Sequence, residues 1–424
     1  MTTVIRLDDL DLAGLLRPGE TVVVSQATAE PTSLTEALVR QRHAIGPVRV
    51  FLGAVFSDTF APEATDGIAF SGYGGIGATG RLARAGRLDV VPAQYSRLPA
   101  MFADGSLPAD VALLQLAPGR GGEPRSLGLG HDYASAAARR ARLVIAEVND
   151  RVPWTHGAEL PADLRVDIVV EVSRPPVELA ASRIGEVEQR IARRVAELVA
   201  DGATIEIGIG AVPDAILSAL AGHRDLGIHS GIIGDRAADL IESGAVSNAR
   251  KIRDAGVSVA GSLFGTARLN ALADRNPAIR LCPPSVSHGI GVLARIPGFV
   301  AINSAVEVDL TGQVNGEVAG DSYVGAVGGQ VDFVRGALAA PGGRSIIALP
   351  STARQGLISR IVASLEGRPV TSLRSDADLV VTEWGVAELR GRSLAERARR
   401  MIAIAAPEFR EALERAAVAG VSRP

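Results

Sequence analysis

Thr204-Ile205-Glu206-Ile207-Gly208-Ile209-Gly210-Ala211-Val212-Pro213 is the stretch that sets the architecture. Three residues with β-branched side chains around one glutamate read as a short buried strand. Two glycines then permit a tight turn, and Pro213 suits the first turn of a helix running to Ala221. Upstream, Gly185–Ala200 carries apolar residues at helical spacing. The unit is therefore helix, strand, glycine turn, helix.

Working outward, the same rhythm fills the first half. Strand-like runs occur at Thr21–Ser25, Val48–Leu52, Val111–Leu116 and Leu143–Val148, and helix-like stretches at Ser33–Arg42 and Ala134–Arg142. Short apolar runs alternating with helices predict an α/β protein with mostly parallel, buried strands. Pro175 and Pro176 break the pattern within Ser173–Arg183, so a boundary is expected there, dividing the chain into 1–180 and 186–424.

Composition narrows the function classes. The 424 residues are 47% hydrophobic and 21% charged, enough for packed cores. A net charge of −3 provides no basic face for nucleic acid. Lys251 is the only lysine. The single cysteine, Cys282, excludes an internal disulfide and fits a reducing cytoplasm. Residues 1–19 lack a signal-peptide core, and no apolar run reaches membrane-spanning length, so neither secretion nor a membrane is expected. The six histidines are scattered, with no zinc-ligand spacing, so no metal site is expected. P-loop and Gly-x-Ser-x-Gly motifs are absent.

Four segments bear on chemistry, and each has a structural reading beside the functional one. Gly208-Ile209-Gly210 opens a helix, where backbone N–H groups favour anions, or is simply a tight turn. Gly227-Ile228-His229-Ser230-Gly231-Ile232-Ile233-Gly234-Asp235 places His, Ser and Asp at a strand end, or holds a histidine that satisfies backbone groups. Val300–Asn315 reads as a strand followed by a hairpin at Asp309-Leu310-Thr311-Gly312, and Gly325-Ala326-Val327-Gly328-Gly329-Gln330 as backbone donors for a carbonyl or phosphate, or a flexible loop. Glu383 and Trp384 follow a strand, and the structural reading is a core tryptophan in a helix-capping turn.

In order and spacing these motifs resemble the acetyl-CoA hydrolase / 4-hydroxybutyrate CoA-transferase family. The most specific stretches are Ala301–Asn315, Gly328–Phe333, Gly342–Leu349 and Val381–Gly391, with a weaker match at Leu143–Gly157. The resemblance implies two tandem CoA-transferase-like (NagB/RpiA-like) domains with mostly parallel sheets and an active site between them. It implies CoA and acyl-CoA as substrates with no resident cofactor, carboxylic acids as partners, a cytoplasmic setting and a homodimer. It implies CoA or substrate contacts at Gly208, Ile209, Gly210, Asn303, Gly325, Gly328, Gly329 and Gln330.

Family members use a glutamate that attacks the acyl-CoA and becomes a glutamyl-CoA thioester. The pattern places it directly after Gly-Ile-His-Thr/Ser, where this chain has Gly231. Glu206 stands for the usual glutamine, Gly325-Ala326 for Ser-Gly, and Ala117-Pro118-Gly119-Arg120 for Ser-Pro-x-Asp. Three replacements for the glutamate follow: Asp235, Glu206, or direct attack assisted by His229 and Ser230, which would make the protein a hydrolase or an acyltransferase. A non-catalytic CoA-binding homologue is the rival.

Overall fold

The structure is a computed structural model describing residues 2–421. Its first half builds one eight-stranded sheet, in the spatial order Thr3–Ile5, Ile168–Val172, Leu143–Asn149, Val111–Leu116, Thr21–Val24, Val48–Leu52, Ile68–Gly72, Leu88–Val90. Every neighbouring pair is parallel. Val22, Val23, Val111 and Leu114 are fully buried, as strands covered on both faces require.

The second sheet has six strands, ordered Gly227–Ile228, Thr204–Ile207, Phe299–Asn303, Arg344–Ala348, Leu379–Thr382, Gly385–Glu388. Only the last pair is antiparallel. The expected parallel α/β architecture is therefore present in both halves. No strand of the first sheet lies beyond Val172, and none of the second precedes Thr204.

The two halves share their interior. One apolar cluster runs from Phe51, Phe102 and Tyr133 to Ile205, Ile302, Ile346 and Leu379. Polar sutures join them too. Asp332 accepts hydrogen bonds from Ser96 N (3.0 Å) and Ser96 Oγ (2.7 Å). Gly75 N donates to Gly325 O, and Tyr95 N to Gly328 O, both at 2.8 Å. Gly325–Gln330 is thus not a flexible loop. Two of its carbonyls, those of Gly325 and Gly328, are tied to the first half, and Gly328 takes φ +50°, a value glycine tolerates.

The helix predicted from Pro213 begins two residues earlier, spanning Ala211–Ala219. Pro213 still lies in its first turn, where a missing N–H costs nothing. The hairpin at Asp309–Gly312 forms as expected. Asp309 Oδ1 accepts from Thr311 N, Thr311 Oγ1 and Gln313 N, and Gly312 takes φ +96°.

Trp384 departs from expectation. It is 41% exposed rather than core, and its turn joins two antiparallel strands rather than capping a helix. Glu383 accepts from Ser351 N and Ser351 Oγ, which pins the turn. The Trp384 ring is left at the surface between the Arg190 and Arg410 guanidinium groups.

Candidate active site

Thr204–Ile207 lies between Gly227–Ile228 and Phe299–Asn303, and all three strands run the same way. Their C-terminal ends therefore open at one place, the usual position for a ligand in an α/β sheet. Gly208 follows the first strand, and Gly210 takes φ +117° to turn the chain into its helix.

A cleft of about 220 Å³ opens there. Glu206, Gly208, Ile209, Gly231, Asn303, Gly328, Gly329 and Gln330 all line it. The opposite wall comes from the first half, through Gln26, Tyr73, Ile76 and Tyr95. An adjoining recess of about 250 Å³ shares Ile76, Gly208, Ile209, Ile232 and Phe264 with the cleft and adds Gly210 and Asp235.

Glu206 is 3% exposed, and Asn303 Nδ2 donates to its Oε2 at 2.8 Å. Burial pushes its carboxyl up to about 8 against the pull of that hydrogen bond. At neutral pH it is a carboxylic acid. A neutral carboxyl is a poor nucleophile, but it presents an O–H as the amide of glutamine presents an N–H. The helix Gln330–Ala339 begins at the cleft, bringing its unpaired first N–H groups there. Gln330 Nε2 is buried and has no hydrogen-bond partner among the described residues.

The other predicted catalytic residues lie elsewhere. Asp235 starts the helix Asp235–Glu242 in the recess, and its Oδ1 accepts from Thr266 N (3.3 Å) and Thr266 Oγ1 (3.2 Å). His229 faces a separate cavity shared with Lys251 and Arg280, and its Nε2 donates to Val286 O at 3.2 Å. Burial, then the Lys251 charge, pushes this imidazole down to about 4. Ser230 Oγ donates to Ile207 O at 3.1 Å and accepts from Ile207 N and Ile232 N, both at 3.4 Å. His229 Nε2 and Ser230 Oγ both bond the backbone, and neither residue lines the cleft. Gly325 does not line it either, since its carbonyl joins the suture to Gly75.

Two groups in the cleft escaped sequence reasoning. One is a chain in which Tyr73 Oη donates to Gln26 Oε1 (2.6 Å) and Gln26 Nε2 donates to Tyr95 Oη (2.7 Å). The other is His288, 5% exposed, with ring centroids of Tyr95 and Phe333 each 4.7 Å away. Its Nδ1 lies 2.9 Å from Ser287 Oγ, and burial, then His229, pushes it down to about 3. His288 sits in Pro283-Pro284-Ser285-Val286-Ser287-His288-Gly289, which carries no catalytic motif. The only available signal was a histidine in a short segment punctuated by Pro and Gly.

Gly231 has no positive φ, so its backbone suits any residue. A side chain there would instead crowd the neighbouring His288 ring. A Cβ built there would lie 2.8 Å from His288 Nε2 and 3.1 Å from its Cε1. At Gly329 a Cβ would lie 2.7 Å from His288 Cδ2.

Residues 7–177 match the acetyl-CoA hydrolase/transferase N-terminal domain, and residues 265–417 match the C-terminal domain of the same family. The 4-hydroxybutyrate coenzyme A transferase of Clostridium kluyveri is 40% identical over 92% of both chains. The succinyl-CoA:cyclohexane-1-carboxylate CoA transferase of Geobacter metallireducens is 34% identical over 96% of this chain and 94% of its own. The crystal structure of RipA from Yersinia pestis superposes with TM-score 0.92 at 32% identity, covering 99% of this chain and 98% of that one.

Proposed function

This chain belongs to the acetyl-CoA hydrolase/transferase family, and from that premise we propose that it turns over short acyl-CoA thioesters in the cleft around Gly231. One observation carries the reading. Glu206, Asn303, Gly231 and Gly328–Gln330 come from separate strands and loops yet line one cleft, beside the N-terminus of Gln330–Ala339. The helix N–H groups suit a developing oxyanion, and the Glu206 carboxyl provides a neutral donor. The cleft takes the thioester and its short acyl group, and the recess beside Gly208 and Gly210 takes the start of the CoA chain.

Position 231 holds no nucleophile, so the glutamyl thioester route is closed there. Burial holds Glu206, the one candidate carboxylate in the cleft, toward its neutral and poorly nucleophilic form. That favours direct attack on the thioester. The non-catalytic rival rests on the same glycine. A cytoplasmic setting, which the lone Cys282 fits, and a homodimer, on resemblance, stay part of this proposal. Among the described residues, no helix is long and apolar enough to cross a membrane.

Gly208→Leu tests the location. A Cβ at Gly208 meets nothing within 4 Å, and its φ is not positive, so the side chain projects into open space in both the cleft and the recess. Calorimetric titration should show acetyl-CoA binding weakened by at least about tenfold, roughly 1.4 kcal/mol, with thermal stability unchanged. Unaltered affinity would move the binding site elsewhere.

A further inference from the structure

His229 and His288 are both buried, but they are used differently. His229 binds a backbone carbonyl through Nε2, as a core histidine does. His288 Nε2 has no hydrogen-bond partner among the described residues, and its ring lines the cleft beside Gly231. We propose that His288 is a catalytic residue whose Nε2 takes the proton from water as that water attacks the acyl-CoA carbonyl. This rests on the thioester reading above and makes its reaction hydrolysis.

The surroundings orient the base. Tyr95 and Phe333 hold the ring from two sides. Ser287 Oγ lies 2.9 Å from His288 Nδ1 and 3.2 Å from Pro283 O, and when its hydroxyl donates to Pro283 O it accepts the Nδ1–H of His288. In that tautomer the Nε2 lone pair is free to take a proton. Gly231 and Gly329 are the residues that leave room for the ring, since a Cβ on either would press against it. Burial keeps the imidazole neutral, so the basic form is present throughout the working pH range. The same burial makes it a weak base, which places its contribution near the low end of general-base catalysis.

The step balances simply. The water oxygen bonds to the thioester carbon as Nε2 takes a proton. The C–S bond then breaks, and the departing thiolate takes that proton back from the imidazolium. The products are a carboxylic acid and free CoA. A carboxylate acceptor brings no proton to remove, so this base helps water and not CoA exchange between acids.

His288→Phe keeps a ring between Tyr95 and Phe333 and removes both nitrogens. Thiol release from acetyl-CoA should fall about 100-fold in kcat, with the Kd for CoA altered by less than about threefold. The solvent deuterium isotope effect of the wild type should vanish with it. Should that variant fold poorly, Gly231→Ala presses on Nε2 without replacing His288, and the same loss of kcat is expected. Wild-type kcat in the folded Phe variant, or in the Ala variant, would overturn the assignment of His288 while leaving the thioester reading intact. A wild type that binds CoA yet releases no thiol from any short acyl-CoA would overturn both.

Discussion

Glu206→Gln should make the protein more stable at pH 9 than the wild type, with much less difference at pH 4.5. Burial raises this carboxyl from an ordinary 4.5 to about 8, with the Asn303 hydrogen bond opposing. Below 4.5 the group is protonated whether the chain is folded or unfolded, so no penalty arises. Between 4.5 and 8 the unfolded chain ionises and the folded chain does not, so stability falls steadily as pH rises. Above 8 the full penalty is present and constant. At about 1.4 kcal/mol per pH unit, the loss is on the order of a few kcal/mol. Glutamine keeps the oxygen that accepts from Asn303 Nδ2 and cannot ionise. Glu30, Asp132 and Asp332 are raised too, to about 7, 6 and 6, so the variant keeps part of the slope. Chemical denaturation of both proteins across pH 4.5–9 checks this, and parallel stability curves would show that Glu206 ionises freely in the folded state.

Gly231→Glu, which places a carboxylate where the resemblance implies one, should stop turnover instead of converting the protein into a transferase. The obstacle is the His288 ring, 2.8 Å from the added Cβ and held between Tyr95 and Phe333. Overpacking of this kind costs about 1–3 kcal/mol, and the displaced imidazole no longer faces the thioester. Activity is expected to fall by about 100-fold or more. The double variant Gly231→Glu/His288→Ala removes the ring and creates room for the carboxylate. After incubation with acetyl-CoA, mass spectrometry should find a CoA adduct on residue 231 in the double variant and none in the single one. Brisk exchange of CoA between acids by Gly231→Glu alone would show that the ring yields freely.

The fold was legible because its signals are local. Val48–Leu52, Val111–Leu116 and Thr204–Ile207 form strands with the boundaries expected from their apolar runs. The cleft was half legible. Gly208, Gly231, Asn303 and Gly328–Gln330 follow a pattern fixed by their neighbours in sequence, and they line it. Where a side chain points is not local. His229 looks catalytic in sequence, yet it turns toward Lys251 and Arg280. His288 looks unremarkable, yet three elements distant in sequence, carrying Tyr95, Gly231 and Phe333, place its ring in the cleft. Trp384 was misplaced for a similar reason. Hydrophobic character suggests a core, but an antiparallel hairpin end leaves it between two arginines.

Release of free CoA thiol from acetyl-, propanoyl- and butyryl-CoA by the wild-type protein, followed with a thiol-reactive dye and no acceptor acid present, tests the central claim most directly. Saturable thiol release, suppressed by Gly208→Leu, is the predicted result. Absence of release from all three thioesters by folded protein that binds CoA would contradict it and leave a CoA-binding protein without turnover.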